Sequence, residues 1–157
     1  MRIGVISDTH GHTSTIKRAI DIVGQVDMWF HAGDHSRDSQ VLAKLSGLPV
    51  VAVAGNCDGS SDAKVDEFID IDNKRIWLTH GHRYQRGELT ETLVWWARQY
   101  GVDAVVYGHS HVPTMLRLED VLVFNPGSAA LPRGGSHASC GVLLVTQNII
   151  EAFHVKI

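Results

Sequence analysis

Short apolar runs along the chain predict alternating strands and helices. Residues 2–7 are rich in β-branched side chains and predict a buried strand. Apolar positions then recur at helical spacing over residues 16–23. Residues 28–31 and 49–54 predict two more strands, with a short helix between them that ends near Gly47. This strand–helix order predicts a parallel sheet with crossover helices.

The second half of the chain has a different pattern, in which strands predominate. Residues 64–71 and 75–79 predict two strands joined by a hairpin-type connection. One long helix follows, with an apolar face between Leu89 and Tyr100, and it is stopped by Gly101. The remaining predicted strands cover residues 103–107, 114–118, 121–124, 140–145 and 149–155. We therefore predict one α/β domain over residues 1–157, with two packed mixed sheets and helices outside.

Composition excludes several broad classes of protein. The chain has 157 residues, of which 44% are hydrophobic and 20% charged, as in ordinary globular domains. Its net charge of -3 argues against a large nucleic-acid surface, which is normally basic. No apolar stretch approaches the roughly 20 residues that a membrane span needs. The short apolar N-terminal run and the two cysteines predict neither a secretory leader nor a disulfide framework, so we expect a cytoplasmic protein without membrane contact.

Histidines are frequent and paired. The chain contains ten, and the pairs 10/12, 31/35, 80/82 and 109/111 account for most of them. Histidine is the commonest metal ligand in proteins. Among the predicted strands, five are each followed by a side chain that can bind a metal. The seven donors at these strand ends are Asp8, His10, Asp34, Asn56, His80, His109 and His111.

These donors predict a metal centre at one edge of the sheet. Ligands bind at the carboxyl ends of strands in open α/β sheets. One structural zinc needs only four ligands, usually including cysteine, whereas seven oxygen and nitrogen donors fit two divalent ions that share Asp34. Such donors suit Mn²⁺ best in our interpretation, with Ni²⁺, Fe²⁺ and Zn²⁺ as alternatives. The net positive charge of such a centre would attract an anionic phosphate.

The same residues, in the same order, resemble the signature of the calcineurin-like metallophosphoesterases. The resemblance rests on Asp-x-His, Gly-Asp, Gly-Asn, His-Gly-His and Gly-His-x-His segments between residues 8 and 111, and residues 125–128 extend it as in the small phosphodiesterase branch. It implies a four-layer αββα sandwich. It also implies hydrolysis by attack of a hydroxide that bridges two metal ions, without a phosphoenzyme.

The resemblance divides the donors into two ligand sets around a shared carboxylate. It assigns Asp8, His10, Asp34 and His111 to one ion. It assigns Asp34, Asn56, His80 and His109 to the other. By the same resemblance, the expected substrate is a small phosphodiester or nucleotide-like molecule.

The segment Gly55-Asn56-Cys57-Asp58 departs from many relatives, which carry a histidine at the position of Cys57. That histidine neighbours the substrate and can protonate the leaving group. Here Cys57 either packs passively or lies on the substrate side, and His12 and His82 are other candidates for proton transfer. Asp58 is expected to support Asn56 or His80. We predict a catalytic site that includes Asp34, Asn56, Cys57, Asp58 and His82.

Three further residues have expected roles outside the ligand set, and two alternative functions remain. His31 is expected to be a hydrogen-bonded core histidine, and Arg133 either contacts phosphate or is an ordinary surface residue. Trp95 points away from the apolar helix face, so it is either exposed or buried in a homo-oligomer such as a dimer or tetramer. The alternative functions are a protein-binding scaffold, as in the retromer subunit with this fold, and a phosphomonoesterase or phosphatase.

Overall fold

A computed structural model describes residues 1–157 as ten strands, three α-helices and one short 3-10 helix. The helices are α1 (Thr13–Val23), α2 (Asp38–Ser46), α3 (Leu89–Tyr100) and the 3-10 helix His82–Tyr84. The first five strands are β1 (Arg2–Ile6), β2 (Met28–His31), β3 (Val50–Ala52), β4 (Asp66–Ile71) and β5 (Lys74–Thr79). The last five are β6 (Ala104–Val106), β7 (Thr114–Leu118), β8 (Val121–Asn125), β9 (Ser139–Val145) and β10 (Ile150–Lys156).

The strands form two mixed five-stranded sheets. Sheet A has the order β10-β9-β1-β2-β3, and sheet B has the order β4-β5-β6-β8-β7. In sheet A, β1 pairs in parallel with β2, and β2 pairs in parallel with β3. In sheet B, β5, β6 and β8 are parallel neighbours. The parallel strands of each sheet therefore end at a common edge.

The period-two alternation of each strand separates the core into three layers. In β5, Ile76 and Leu78 belong to the cluster between the sheets, whereas Trp77 faces α3. In β1, Ile3 faces the other sheet, whereas Ile6 belongs to the cluster beneath α1 and α2. The molecule is thus a four-layer αββα sandwich with α1 and α2 on one face and α3 on the other, and the predicted fold is confirmed.

The predicted elements differ from the observed ones mainly at their ends. The strand predicted over residues 49–54 is only Val50–Ala52, because the chain turns away toward the loop that carries Asn56. The 3-10 helix His82–Tyr84 was not predicted, since one helical turn leaves no periodic signal. Trp95 is exposed on the single chain, which agrees with both predicted alternatives, a solvent-exposed residue or one covered in a homo-oligomer. No helix has the length and apolar character that crossing a membrane requires.

Candidate metal centre

The predicted donors lie in loops that follow the carboxyl ends of parallel strands. Asp8 and His10 follow β1, and Asp34 follows β2. His80 follows β5 of the other sheet, and His111 lies in the loop after β6. Because the two sheets face each other, loops from both reach the same edge of the sandwich. The two sheets thus supply opposite walls of one site.

The first group of donors is compact. Ligand atoms of Asp8, His10, Asp34 and His111 all lie within 4.8 Å of one another. Asp8 Oδ1 is 3.1 Å from His111 Nε2, and Asp34 Oδ2 is 3.9 Å from His10 Nε2. All but His10 are buried. The structure brings together the residues that the resemblance assigns to one ion.

The second group lies on the other side of Asp34. His80 Nε2 is 3.3 Å from Asp34 Oδ1 and 3.2 Å from Asn56 Oδ1. The His109 ring lies 5.1 Å from the His80 ring, centre to centre. His80 Nε2 is also 4.0 Å from Asp8 Oδ1. The two oxygens of the Asp34 carboxylate therefore face different groups of donors: Oδ2 faces the first group and Oδ1 faces the second.

Backbone carbonyls determine which nitrogen of two histidines faces the site. His80 Nδ1 is 2.7 Å from the Ala32 carbonyl oxygen, and His111 Nδ1 is 2.6 Å from that of Leu131. A carbonyl only accepts a hydrogen bond, so Nδ1 carries the proton in both rings. In each neutral ring the Nε2 lone pair then points toward a carboxylate. Carbonyl-bonded histidines of this kind are typical metal ligands.

Unpartnered polar atoms at the centre of the cluster show that it suits a cation. Asp8 Oδ1 and His10 Nε2 are buried and have no hydrogen-bond partner. The 3.1 Å approach of Asp8 Oδ1 to His111 Nε2 brings together two acceptors when the ring is neutral. Facing lone pairs repel each other, and a buried unsatisfied polar atom costs roughly 1–3 kcal/mol. A divalent ion between these atoms removes both costs, so the donors fit the metal.

Charge within the cluster shifts the histidine pKa values in two directions. Burial lowers the pKa of His80, but hydrogen bonding to Asp34 and the charge of Asp8 outweigh it and raise the pKa. The pKa of His111 is raised because its Nε2, once protonated, can donate a hydrogen bond to the Asp8 carboxylate 3.1 Å away. Burial lowers the pKa values of His10 and His109, which are therefore neutral at pH 7. In the absence of metal, the raised pKa values favour protons on His80 and His111 beside the two carboxylates.

Backbone strain is concentrated at the same residues. Nine residues other than glycine have positive φ, and five of them are predicted ligands. These five are Asp8, His10, Asp34, His109 and His111, with φ between 46° and 67°. The left-handed conformation costs such residues roughly 1–2 kcal/mol each. Strain of this kind persists where the surrounding structure holds the chain in place, as it commonly does at active sites.

Gly55 lies so close to Asp34 that no side chain fits between them. A Cβ atom at Gly55 would lie 2.1 Å from Asp34 Oδ1 and 2.5 Å from the Asp34 backbone nitrogen. Gly108 shows the same close approach on the opposite wall, with a Cβ at 2.0 Å from Ser7 Oγ. These glycines bring the loops of both sheets close enough to share ligands.

We expect Gly55→Ala to lower kcat/KM by about 100-fold, the effect of displacing a reacting or ligating group by about 1 Å. The new methyl group would push the Asp34 carboxylate out of place. The matched control is Gly59→Ala in the same loop, where a Cβ would have nothing within 4 Å, so that its cost is confined to the backbone strain of a φ of 57°. Equal turnover and equal metal affinity of the two variants would show that the loop gives way without moving Asp34.

Comparison with known proteins assigns the chain to a family. The model of the calcineurin-like phosphoesterase superfamily domain matches residues 1–148. The chain belongs to this superfamily. It is 37% identical over 139 residues to a probable metallophosphoesterase of Methanothermobacter thermautotrophicus, covering 85% of this chain and 80% of the relative. It is 32% identical over 146 residues to Phosphodiesterase MJ0936 of Methanocaldococcus jannaschii, covering 81% and 83%.

Solved structures share the same architecture. A single mutant of Vps29 from Entamoeba histolytica superposes with a TM-score of 0.78 and 23% sequence identity, covering 100% of this chain and 99% of that one. At this identity the likeness extends to the fold alone. The family and the relatives together identify the chain as a phosphoesterase of a superfamily that uses divalent metals, and its Asp/His cluster is compatible with such ions.

Asp58 connects two loops that carry candidate ligands of this phosphoesterase. Its Oδ2 accepts a hydrogen bond of 2.6 Å from the Gly55 backbone nitrogen, and its Oδ1 accepts one of 2.6 Å from that of Ser36. The Cys57 backbone nitrogen donates to Asp34 Oδ1 over 2.9 Å. Asp58 therefore ties the loop of Asn56 to the loop of Asp34 through the backbone. The structure shows no hydrogen bond from Asp58 to the side chains of Asn56 or His80.

The residues considered for proton transfer differ in their distance from the phosphoesterase site. The His82 ring lies 5.4 Å from that of His80 and 6.2 Å from that of His109, centre to centre. Burial, and then the charge of His80, lower the pKa of His82. Cys57 is exposed beside Asn56, whose Nδ2 lies 3.4 Å from its sulfur. Burial and Asp34 raise the pKa of the thiol to about 11.

Two serines hold the Asp8 loop of the phosphoesterase site; Ser7 had no signal in the sequence, whereas Ser128 lies in the segment 125–128 that extends the family resemblance. Ser7 Oγ donates to Asp8 Oδ2 over 2.6 Å, and the His109 backbone nitrogen donates to the same oxygen over 3.2 Å. Ser128 Oγ donates to the Asp8 carbonyl oxygen over 2.8 Å, so the segment 125–128 borders the site. A serine before an aspartate is common by chance. Only the fold shows that these serines hold the Asp8 loop.

Two other residues of the phosphoesterase occupy places consistent with their predictions. His31 is fully buried with hydrogen bonds at both ring nitrogens, as expected for a core histidine. Arg133 is exposed, its backbone nitrogen donates to the His111 carbonyl oxygen over 3.2 Å, and its charge lowers the pKa of His111 in part. Its guanidinium is therefore near the rim of the site. His12 is exposed just before α1.

Proposed function

We propose that this phosphoesterase is a phosphodiesterase whose two divalent ions share Asp34. The observation that carries the proposal is the position of Asp34, which lies 3.3 Å from His80 with one oxygen and 3.9 Å from His10 with the other. One ion would be held by Asp8, His10, Asp34 and His111, and the other by Asp34, Asn56, His80 and His109. Mn²⁺ is the ion we expect first, because the donors are nitrogen and oxygen only.

When bound, divalent ions neutralise the charge of a phosphate group and make water nucleophilic near neutral pH. Several ligand residues of this protein are in protonation states that suit the binding of such ions. Burial raises the pKa of Asp34, but hydrogen bonds from a protonated His80 and from the Cys57 backbone nitrogen outweigh it and hold the pKa well below its usual range, so the carboxylate is ionised at neutral pH. The lowered pKa values of His10 and His109 keep their lone pairs available. His10 and His109 therefore need no high pH to lose a proton, whereas metal binding would have to displace the protons that the raised pKa values favour on His80 and His111.

A diester fits the charge of the site better than a monoester. A monoester carries one more negative charge and needs more cationic side chains around it. Arg133 is the basic residue whose charge acts on a proposed ligand, His111. A relative that covers most of this chain bears the name phosphodiesterase. Both observations favour a small diester such as a nucleotide-like molecule.

The neutral His82 and the protonated Cys57 thiol are both weak acids for a leaving group. A thiol with a pKa of about 11 releases its proton reluctantly at neutral pH. His82, with its lowered pKa, holds no second proton at pH 7. We propose that these residues border the substrate and that protonation of the leaving group contributes little to catalysis.

The site and both sheets would act as one unit. Residues of sheet A, such as Ile3 and Phe30, and of sheet B, such as Ile76 and Phe124, belong to the same buried cluster. We propose on this basis that residues 1–157 form a single domain. Its ligand loops would then be fixed to one common core.

The experiment is metal restoration of hydrolysis. Chelator-treated protein would receive Mn²⁺, Ni²⁺, Zn²⁺ or Mg²⁺ singly, with bis-p-nitrophenyl phosphate and p-nitrophenyl phosphate as substrates. We expect Mn²⁺ to restore hydrolysis and the diester to be cleaved faster than the monoester. Faster monoester cleavage would make the protein a phosphomonoesterase. Binding of two ions without turnover of any diester would favour the scaffold role on the same fold.

A further inference from the structure

A buried hydrogen-bonded chain outside the proposed ligands connects the two loops that carry Asp8, His10 and Asp34. His31 Nε2 is 2.9 Å from Thr9 Oγ1, and Thr9 Oγ1 donates to Asp38 Oδ2 over 2.6 Å. The same oxygen of Asp38 accepts from the Gly11 backbone nitrogen over 2.8 Å. The Gly33 backbone nitrogen donates to His31 Nδ1 over 3.3 Å.

The chemistry of the hydrogen-bonding groups determines which atom donates and which accepts in each of these hydrogen bonds. A backbone N–H only donates, so His31 Nδ1 accepts from Gly33 and carries no proton. In the neutral ring the proton is then on Nε2, which donates to Thr9 Oγ1. The single hydroxyl proton of Thr9 goes to the Asp38 carboxylate, which only accepts. Burial lowers the pKa of His31 to about 4, which keeps the ring neutral at pH 7.

The hydrogen bonds of Thr9, His31 and Asp38 hold two turns of the backbone, each of which contains residues with positive φ. His10 and Gly11 have φ of 46° and 79°, and Gly33 and Asp34 have φ of 94° and 56°. Thr9 and His31 are completely buried, and Asp38 is 9% exposed. Every polar side-chain atom of Thr9 and His31 has a partner, so the arrangement has one low-energy form. A change at Thr9 would free the turn of residues 8–11 from the turn of residues 31–38.

We propose that Thr9, His31 and Asp38 are positioning residues, which hold the Asp8–His10 turn and the Asp34 turn at the separation that divalent ions require. The inference rests on the metal site of the proposed function. Residues that orient metal ligands in this way typically change metal affinity by about 10- to 100-fold when they are removed. None of the three is a predicted ligand.

The test is titration calorimetry with Mn²⁺ on chelator-treated full-length protein. Thr9→Val removes the hydroxyl group and keeps the shape, and we expect Mn²⁺ binding to weaken by about 10- to 100-fold. Thr9→Ser keeps the hydroxyl group and is expected to bind within a few-fold of the unsubstituted protein. Thr79→Val is the matched control, because Thr79 is buried and its hydroxyl oxygen has no partner. Thr9→Ala replaces Thr9→Val if the valine prevents folding.

A spectroscopic measurement on the unsubstituted protein tests the network independently of folding in the variants. Long-range proton–nitrogen correlation spectra should show His31 with a protonated Nε2 and an unprotonated Nδ1, and the Nε2 proton should shift in Thr9→Val. Equal Mn²⁺ affinity of Thr9→Val and the unsubstituted protein, or a proton on Nδ1, would overturn the positioning role. Failure of the unsubstituted protein to bind Mn²⁺ would instead overturn the proposed metal site, and the inference with it.

Discussion

Asp34→Asn should lower kcat/KM for a diester substrate by about 1000-fold or more, because it removes the shared negative charge on which both proposed ligand sets depend. Lewis acid catalysis supplies several kcal/mol, and each 1.36 kcal/mol corresponds to a factor of ten in rate. An asparagine retains an oxygen that can accept from the Cys57 backbone nitrogen, now 2.9 Å from Asp34 Oδ1. We therefore expect the variant to fold and to lose metal rather than structure.

The measurement pairs turnover with metal content. Asp27→Asn is the matched control, since Asp27 precedes β2 at the opposite end of the strand and accepts from the Arg2 backbone nitrogen. It should retain turnover and bound metal, whereas Asp34→Asn should lose both while keeping the circular dichroism spectrum of the folded protein. An Asp34→Asn variant with bound metal and near-normal turnover would show that Asp34 is not shared between ions.

A strong dependence on the leaving group is the second large effect. A well-placed general acid contributes about 100- to 10000-fold, and the two side chains nearest to that role here are poor acids. The pKa of Cys57 is raised to about 11, and that of His82 is lowered. We expect kcat/KM for a series of methyl aryl phosphates to fall steeply as the pKa of the departing phenol rises.

Cys57→His would test the cause of this dependence. The substitution introduces the side chain that many relatives carry at this position, and we expect it to flatten the dependence on the leaving group. Cys57→Ser is the control that changes size and polarity without supplying an acid, and it should leave the slope steep. A shallow slope in the unsubstituted protein would show that another residue already protonates the leaving group, and His82→Gln would then be the variant to measure.

The sequence was sufficient for the fold class and for the gathering of the donors. Apolar runs with period two or 3.6 placed every strand and α-helix to within a few residues, because each buries at least one face in the three clusters of the core. The donors follow strand ends, and parallel strands bring such ends to one edge. The convergence of Asp8, Asp34 and His111 could be predicted for this reason.

The orientation of the donors could not be predicted in the same way. His80 and His111 face the site with Nε2 because their Nδ1 atoms donate to the carbonyls of Ala32 and Leu131, which lie 48 and 20 residues away. A carbonyl has no identity in the sequence, so nothing in the chain marks these contacts. His31 could be expected to be buried and satisfied. Its connection through Thr9 to Asp38 depends on the tertiary packing of the loops.

The most direct test of the whole account is a titration of chelator-treated protein with Mn²⁺, in which bound metal per chain and hydrolysis of bis-p-nitrophenyl phosphate are measured on the same samples. We predict that hydrolysis rises with occupancy and saturates at two bound ions per chain. Full hydrolysis by metal-free protein, or saturation with two ions and no hydrolysis of any diester, would contradict the account.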